Sequence, residues 1–251
     1  KLQGRRGKKA PSANDAIAVL SKRVGWGGEF DRRPPQSNPC YRIKKYRQNT
    51  RQRYLSTEEY ARLGAVLARV EKLSGERFYQ VAAIKLLIFT GARLNEILTL
   101  AWKSVDLQRN LLLLPDSKTG QKTIRLNAQA ADIIRGLPQL PDNPHVIIGR
   151  VPGSYLVNLQ DGWQRIRKEA GIPDVRLHDL RHSFASVAAA ANGSLPLIGG
   201  LLGHAQFDTT ARYAHRAAHP LDALNATVGD TIAAAIGMTP ESERPTRRSA
   251  A

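Results

Sequence analysis

The sequence predicts a mainly α-helical protein with one small antiparallel β-sheet, an α+β class. Two observations lead there. Apolar residues recur at helical spacing along most of the 251 residues. Residues 105–126 differ, carrying short Val-, Leu- and Ile-bearing runs around turn words.

The elements follow in order. Residues 12–28 are expected to be helical, with Ser12 as cap, Asp15 three residues on, and Ile17, Leu20 and Val24 at helical spacing. RRPPQSNP then breaks the pattern, and residues 41–55 read as a basic, extended linker. A new helix starts at Ser56-Thr57, with Glu58 and Glu59 at its positive dipole end. Leu63, Val66, Leu67 and Val70 form its apolar stripe. A largely apolar helix over 77–90 ends at Gly91, and a short one follows over 93–100. Strands are expected over 105–107 and 111–114, and a third over 123–126 after the Lys118-Thr119-Gly120-Gln121 turn. Helices are expected over 127–136, 154–170, 178–192, 196–202, 208–213 and 219–236. Residues 239–251, TPESERPTRRSAA, are polar and Pro-containing and read as disordered.

Composition narrows the partner. Lys and Arg number 38 against 21 Asp and Glu, a formal charge of +17 with a sequence pI near 10.5. An anionic polymer is the natural partner, nucleic acid first. Residues 1–53 hold fifteen Lys or Arg and three Asp or Glu, so twelve of the seventeen net charges lie there. Two readings of that stretch stand: a solvated tail, or a strap along a DNA backbone carried by Lys44, Lys45, Arg47, Arg51 and Arg53. There is no run of about 18 apolar residues and no signal peptide, which argues against a membrane role and fits a cytoplasmic protein. The lone cysteine, Cys40, excludes an internal disulfide and a cysteine-rich zinc site. The chain begins KLQGRRGKKA without Met, as expected of a fragment.

The chemistry-bearing words are TGARLNEIL, DSKTGQ, LHDLRHSFAS and LLGHAQFDTTARYAH. Breaking a phosphodiester without metal requires fixed cations on its non-bridging oxygens, and guanidinium forks suit that task. Arg93 follows the Gly91-Ala92 break at a helix start, where Glu96 shares its face and can orient it. Lys118 sits in the turn between two strands. His178 and Arg181, three apart, share a helix face. His178 and His182 have zinc-like i,i+4 spacing, but no Glu lies between them in the HExxH manner and no third ligand is evident. His204 follows a helix-ending Gly203, and Tyr213 comes nine residues later. Taken singly, each has an ordinary structural explanation: a helix ion pair, a hairpin-tip lysine, a half-buried tyrosine.

Their order and context together are specific. The chain resembles the tyrosine recombinases, the phage-integrase family, over roughly residues 55–236. That family uses an ordered Arg, Lys, His-x-x-Arg, His (or Trp), Tyr set, matched here by Arg93, Lys118, His178, Arg181, His204 and Tyr213. The wording is nearest to integrases of prophages and genomic islands. The resemblance implies a catalytic domain over 56–218, preceded by the last helix of a core-binding domain within 1–40 and a linker over 41–55. It also implies that Tyr213 attacks the scissile phosphate and leaves a 3′-phosphotyrosyl link. Arg93 and Arg181 would clamp the charge, His178 act as base, His204 donate a hydrogen bond, and Lys118 protonate the leaving 5′-oxygen. No metal or cofactor is implied. The implied partners are double-stranded DNA attachment sites, four protomers on DNA, and accessory DNA-bending or directionality factors.

The segment over 219–238 repeats Leu221, Leu224, Val228, Ile232 and Ile236 on one face, and either packs on its own domain or docks on a neighbour. One departure is Gly199-Gly200, where the family pattern has a longer, often basic side chain at the second position. The rival activities are a type IB topoisomerase and a non-catalytic DNA-binding regulator. A metal-dependent nuclease would need clustered carboxylates, which the sequence lacks.

Overall fold

The computed structural model describes residues 10–29, 38–44, 46, 53–73, 75–117, 120–203 and 220–238. They belong to two compact units, Lys1–Gln52 and Arg53–Ala251.

The first unit is built on helix α1 (Ala10–Glu29). Ser12 lies inside this helix rather than capping it. The polar anchor is the buried Asn14, which donates to the Tyr46 carbonyl at 2.8 Å and accepts its N–H at 2.9 Å. Residues 38–42 form a turn, closed by Tyr41 N–H on the Asn38 carbonyl at 3.0 Å, where extended chain was expected from residue 41 onward.

Near the start of the second unit, Leu55 is a buried residue whose N–H donates to Ser183 Oγ at 3.0 Å. The end of the expected linker is thus part of this unit. Helix α2 (Thr57–Glu71) starts with a reciprocal capping box: Ser56 Oγ accepts from Glu59 N–H, and Glu59 Oε2 accepts from Ser56 N–H at 2.9 Å. Helix α3 (Glu76–Thr90) is buried from Gln80 through Thr90, which explains its nearly continuous apolar sequence. It ends at Gly91, whose φ of 59° is left-handed and where the Phe184 ring leaves no space for a Cβ.

Helix α4 (Leu94–Leu98) and a 3-10 turn at Trp102–Ser104 lead into the sheet. Strands β1 (Val105–Asp106), β2 (Leu111–Ser117) and β3 (Gly120–Arg125) pair antiparallel in that order. Leu112 faces Ile124 and Leu114 faces Lys122, and these four side chains turn to the buried face. Asn127 caps α5 (Ala128–Arg135) by accepting from Ala130 N–H at 3.0 Å, and its amide donates to the Phe89 carbonyl at 2.8 Å.

Helix α6 (Gln160–Glu169) begins later than residue 154, the expected start. Tyr155 is taken by a bridge to Ile148, and Asn158 Oδ1 receives Gln160 N–H at 3.0 Å. Helices α7 (Leu177–Ala190), α8 (Leu195–Leu201) and α9 (Pro220–Ala235) complete the unit. Around α3 pack α2, α4, α5, α6, α7 and α9.

The apolar stripe of α9 is seated on its own unit, one of the two arrangements left open by the sequence. Val228 and Ile232 are fully buried, and the Ile236 carbonyl sits where Gly64 has no room for a Cβ. Polar clips flank the stripe: Arg125 with Asp222 at 2.7 Å, Asn225 Nδ2 to the Arg125 carbonyl at 3.0 Å, and Gln129 to Asp230 at 2.8 Å. The expected helix over 208–213 and the tail over 239–251 lie outside the described residues.

Candidate active site

Arg93 owes its position to the chain break before it. The left-handed Gly91 stops α3, Ala92 is buried, and Arg93 takes an extended conformation as the N-cap of α4. Its side chain is 48% exposed, so the guanidinium is presented to solvent rather than spent in the core. Glu96 holds it twice, with Oε2 accepting from Arg93 N–H at 2.8 Å and Oε1 from Nη1 at 2.9 Å.

The same carboxylate has a second cation. Lys122 Nζ donates to Glu96 Oε1 at 2.9 Å and Oε2 at 2.7 Å. Burial pushes the Glu96 carboxyl up, but the bonds from Lys122 and Arg93 hold it below the usual glutamate value. Burial also pushes the Lys122 ammonium down, and Glu96 opposes that shift. Lys122 is a site residue that the family words do not mark. Its signal was legible: Lys122, Ile124 and Leu126 alternate, so a strand here turns the lysine toward the core.

Arg181 is buried, 8% exposed. Its Nη1 donates to the Gly91 carbonyl at 2.5 Å and its Nη2 to the Leu202 carbonyl at 3.0 Å. Burial and the nearby Arg93 charge push its pKa down to about 10, which leaves it charged at neutral pH. His178, at the start of α7, is exposed, and its ring meets that of His182 edge-on with centroids 4.7 Å apart. Partial burial, then His182 and Arg181, push His178 below the ordinary histidine value. A neutral imidazole at physiological pH can accept a proton. Arg93, Glu96 and His178 line one groove, which continues past Thr99, Lys103 and His145.

Lys118, His204 and Tyr213 lie outside the described residues. In chain order Lys118 falls between the end of β2 and the start of β3, and His204 follows Gly203 directly. Among the expected DNA contacts, Lys44 is exposed, while Lys45, Arg47 and Arg51 lie outside the described residues. Arg53 has partners within the protein. Its Nε, Nη1 and Nη2 donate to Asp174, Glu59 and the Tyr54 carbonyl, occupying all five N–H groups. It ties the start of this unit to α2 and to the loop before α7.

Gly200 also has a structural account. A Cβ there would meet Leu221 Cδ2 at 3.0 Å, so α9 occupies the space that a longer side chain would need.

The family model described as the phage integrase family matches residues 53–219. The chain belongs to the phage integrase family. Among curated relatives of this family member, the tyrosine recombinase XerC of Xanthomonas axonopodis pv. citri is 29% identical over 139 residues, covering 53% of this chain and 46% of XerC. The prophage integrase IntF of Escherichia coli is 25% identical over 148 residues, covering 57% of this chain and 31% of IntF. The chain therefore spans about half or less of the relatives it matches. A crystal structure of a lambda integrase dimer bound to a COC′ core site has the same fold, with a TM-score of 0.58 at 19% identity, over 80% of this chain and 74% of that one. The α+β fold with its small three-stranded sheet is thus the fold of these catalytic domains. Among the described residues, no helix is long and apolar enough to cross a membrane.

Proposed function

We propose that this chain carries the strand-cutting and rejoining machinery of a site-specific DNA recombinase, an integrase that inserts or excises a mobile element. The observation that carries the reading is the joining of Arg93, Glu96 and His178 along one groove with Arg181 behind them. Two guanidiniums and a neutral imidazole are the groups that a metal-independent phosphoryl transfer needs beside its nucleophile.

In this reading Tyr213 Oη attacks the scissile phosphorus in line. The phenol proton passes to His178, which is held neutral for that purpose. Arg93 and Arg181 stabilise the charge on the non-bridging oxygens, and His204 donates a further hydrogen bond. Lys118 gives its proton to the departing 5′-oxygen. The product is a 3′-phosphotyrosyl link and a free 5′-hydroxyl. Attack by a partner strand's 5′-hydroxyl then releases Tyr213 and joins the exchanged strands. The covalent link conserves the bond energy, so ATP is not required.

Lys44, Lys45, Arg47 and Arg51 serve as backbone contacts from the basic segment, and residues 1–40 represent the end of a core-binding domain. Two DNA sites with two strands each call for four protomers, with accessory factors setting direction.

The test is a denaturing gel of the protein with DNA flanking its own gene, in chelator. Wild type is expected to give a detergent-stable adduct and Tyr213→Phe none. Adduct formation by both would remove Tyr213 as nucleophile, and none from a DNA-binding wild type would leave a binding protein.

A further inference from the structure

We propose that Lys122 is a positioning residue of this site: it sets Arg93 through Glu96, and supports the turn leading to His204 through its hydrocarbon stem. The inference rests on the recombinase reading above.

The strand makes Lys122 face inward. It lies opposite Leu114 on β3, with a side chain only 4% exposed. Its ammonium donates to both oxygens of Glu96 and is directed into the protein. Its effect on chemistry is therefore indirect.

Charge accounts for the first part. Glu96 bears one negative charge and meets two cations, Lys122 and Arg93. With Lys122 in place that charge is already balanced, and Arg93 keeps a net positive charge to offer a phosphate. Without Lys122, the partly buried carboxylate would draw Arg93 into a closed pair or take up a proton and release it. Either change moves the guanidinium or its field.

Shape accounts for the second part. A Cβ on Gly203 would overlap Lys122 Cε and crowd the rest of the stem. The turn at 201–203 thus rests directly on the lysine methylenes, while Arg181 holds its Leu202 carbonyl at 3.0 Å. Gly203 also has a φ of 67°, so the glycine before His204 answers both a backbone and a packing demand. One lysine therefore bears both on Glu96, which holds Arg93, and on the turn at 201–203.

The experiment uses the full chain and a nicked duplex from the DNA flanking its gene. Adduct rate, DNA affinity and thermal melting are measured for wild type, Lys122→Met, Lys122→Arg, Glu96→Gln and the Lys122→Met/Glu96→Gln pair. Lys122→Met is expected to lower the adduct rate about 10–100-fold with DNA affinity retained, the scale of a small misplacement of a reacting group. Lys122→Arg should recover most of the rate. In the Glu96→Gln background the methionine change should cost little more, because the two act as one unit. The acid limb of the Lys122→Met rate profile should move to higher pH as Glu96 loses one of its two cations.

A wild-type rate for Lys122→Met, or equal losses in both Glu96 backgrounds, would overturn the proposal. Should Lys122→Met melt below the assay temperature, a normal rate for Glu96→Gln overturns it instead. Absence of any wild-type adduct would overturn the recombinase reading and this inference together; an active wild type indifferent to Lys122 overturns the inference alone.

Discussion

Arg181 Nη2 donates to the Leu202 carbonyl at 3.0 Å, so the arginine of the His-x-x-Arg word also holds the turn that leads into His204. Its other terminal nitrogen donates to Gly91 O, two residues before Arg93. A guanidinium can serve two carbonyls and still direct N–H groups and charge at a phosphate; an ammonium cannot span that geometry.

Arg181→Lys should therefore fail in two ways. Adduct formation is expected to fall about 10²–10³-fold, as when one donor to a developing oxyanion is lost. The native state should lose about 1–3 kcal/mol for a buried carbonyl left unpaired. Single-turnover gels and thermal melts check the two effects, and an unchanged cleavage rate would show that the guanidinium geometry is dispensable.

The pH dependence follows from His178. Burial, then His182 and Arg181, with a smaller push from Arg93 and opposition from Asp179, hold it below its ordinary 6.5. The base is available above that lowered value and lost as pH falls through it, so the acid limb of the cleavage rate should lie below 6.5. The unfolded chain binds the proton more readily, so the native state also loses stability as pH falls from 6.5 toward the lowered value. His182→Gln removes one repulsive charge and should shift the acid limb upward. An acid limb that stays in place would rule out His182 as a tuning group.

Arg53→Gln should act on stability and leave DNA binding alone. Its guanidinium pairs with Glu59 at 2.6 Å and Asp174 at 2.8 Å, and a network of this kind on a partly exposed face is worth about 1 kcal/mol. A phosphate contact would instead lower the salt slope of DNA affinity by about one unit. A melt and a salt titration of affinity separate the two; a reduced slope would return Arg53 to the DNA surface.

Ile232→Ala tests the seat of α9. Ile232 is fully buried, and truncation of such a side chain costs about 2–5 kcal/mol. Gly64→Ala should destabilise as well, because its new Cβ meets the Ile236 backbone. Denaturant titration of both variants is the check. Wild-type midpoints would mean that the helix is not held on this unit in solution.

Much of the fold was legible because its signals are local. Ser56 and Glu59 form the capping box that marks α2, and Gly91 ends α3 because only a residue free of a Cβ fits against Phe184. The Leu224, Val228, Ile232, Ile236 stripe read as one helix face and is the face buried. Ser12 misled because a lone polar residue near a helix start resembles a cap; the helix begins earlier, at Ala10, and Asn14 bonds Tyr46. Helix α6 begins later than its periodicity suggests, because the Ile148–Tyr155 bridge joins residues whose pairing no helical periodicity reveals.

The family, the order of the chemical residues and the helical frame are readable along the chain, because helix periodicity, caps and contiguous words are properties of neighbouring residues. The partners of several charges emerge only from the packing. Arg53 reads as a DNA contact within a basic run, yet Asp174, 121 positions away, takes part of it. Strand alternation turns Lys122 inward, but only the packing brings Glu96, 26 positions back, to its ammonium. A charged side chain's partner is set by which surfaces pack together, and two partners far apart in sequence become one interaction only when the core between them has formed.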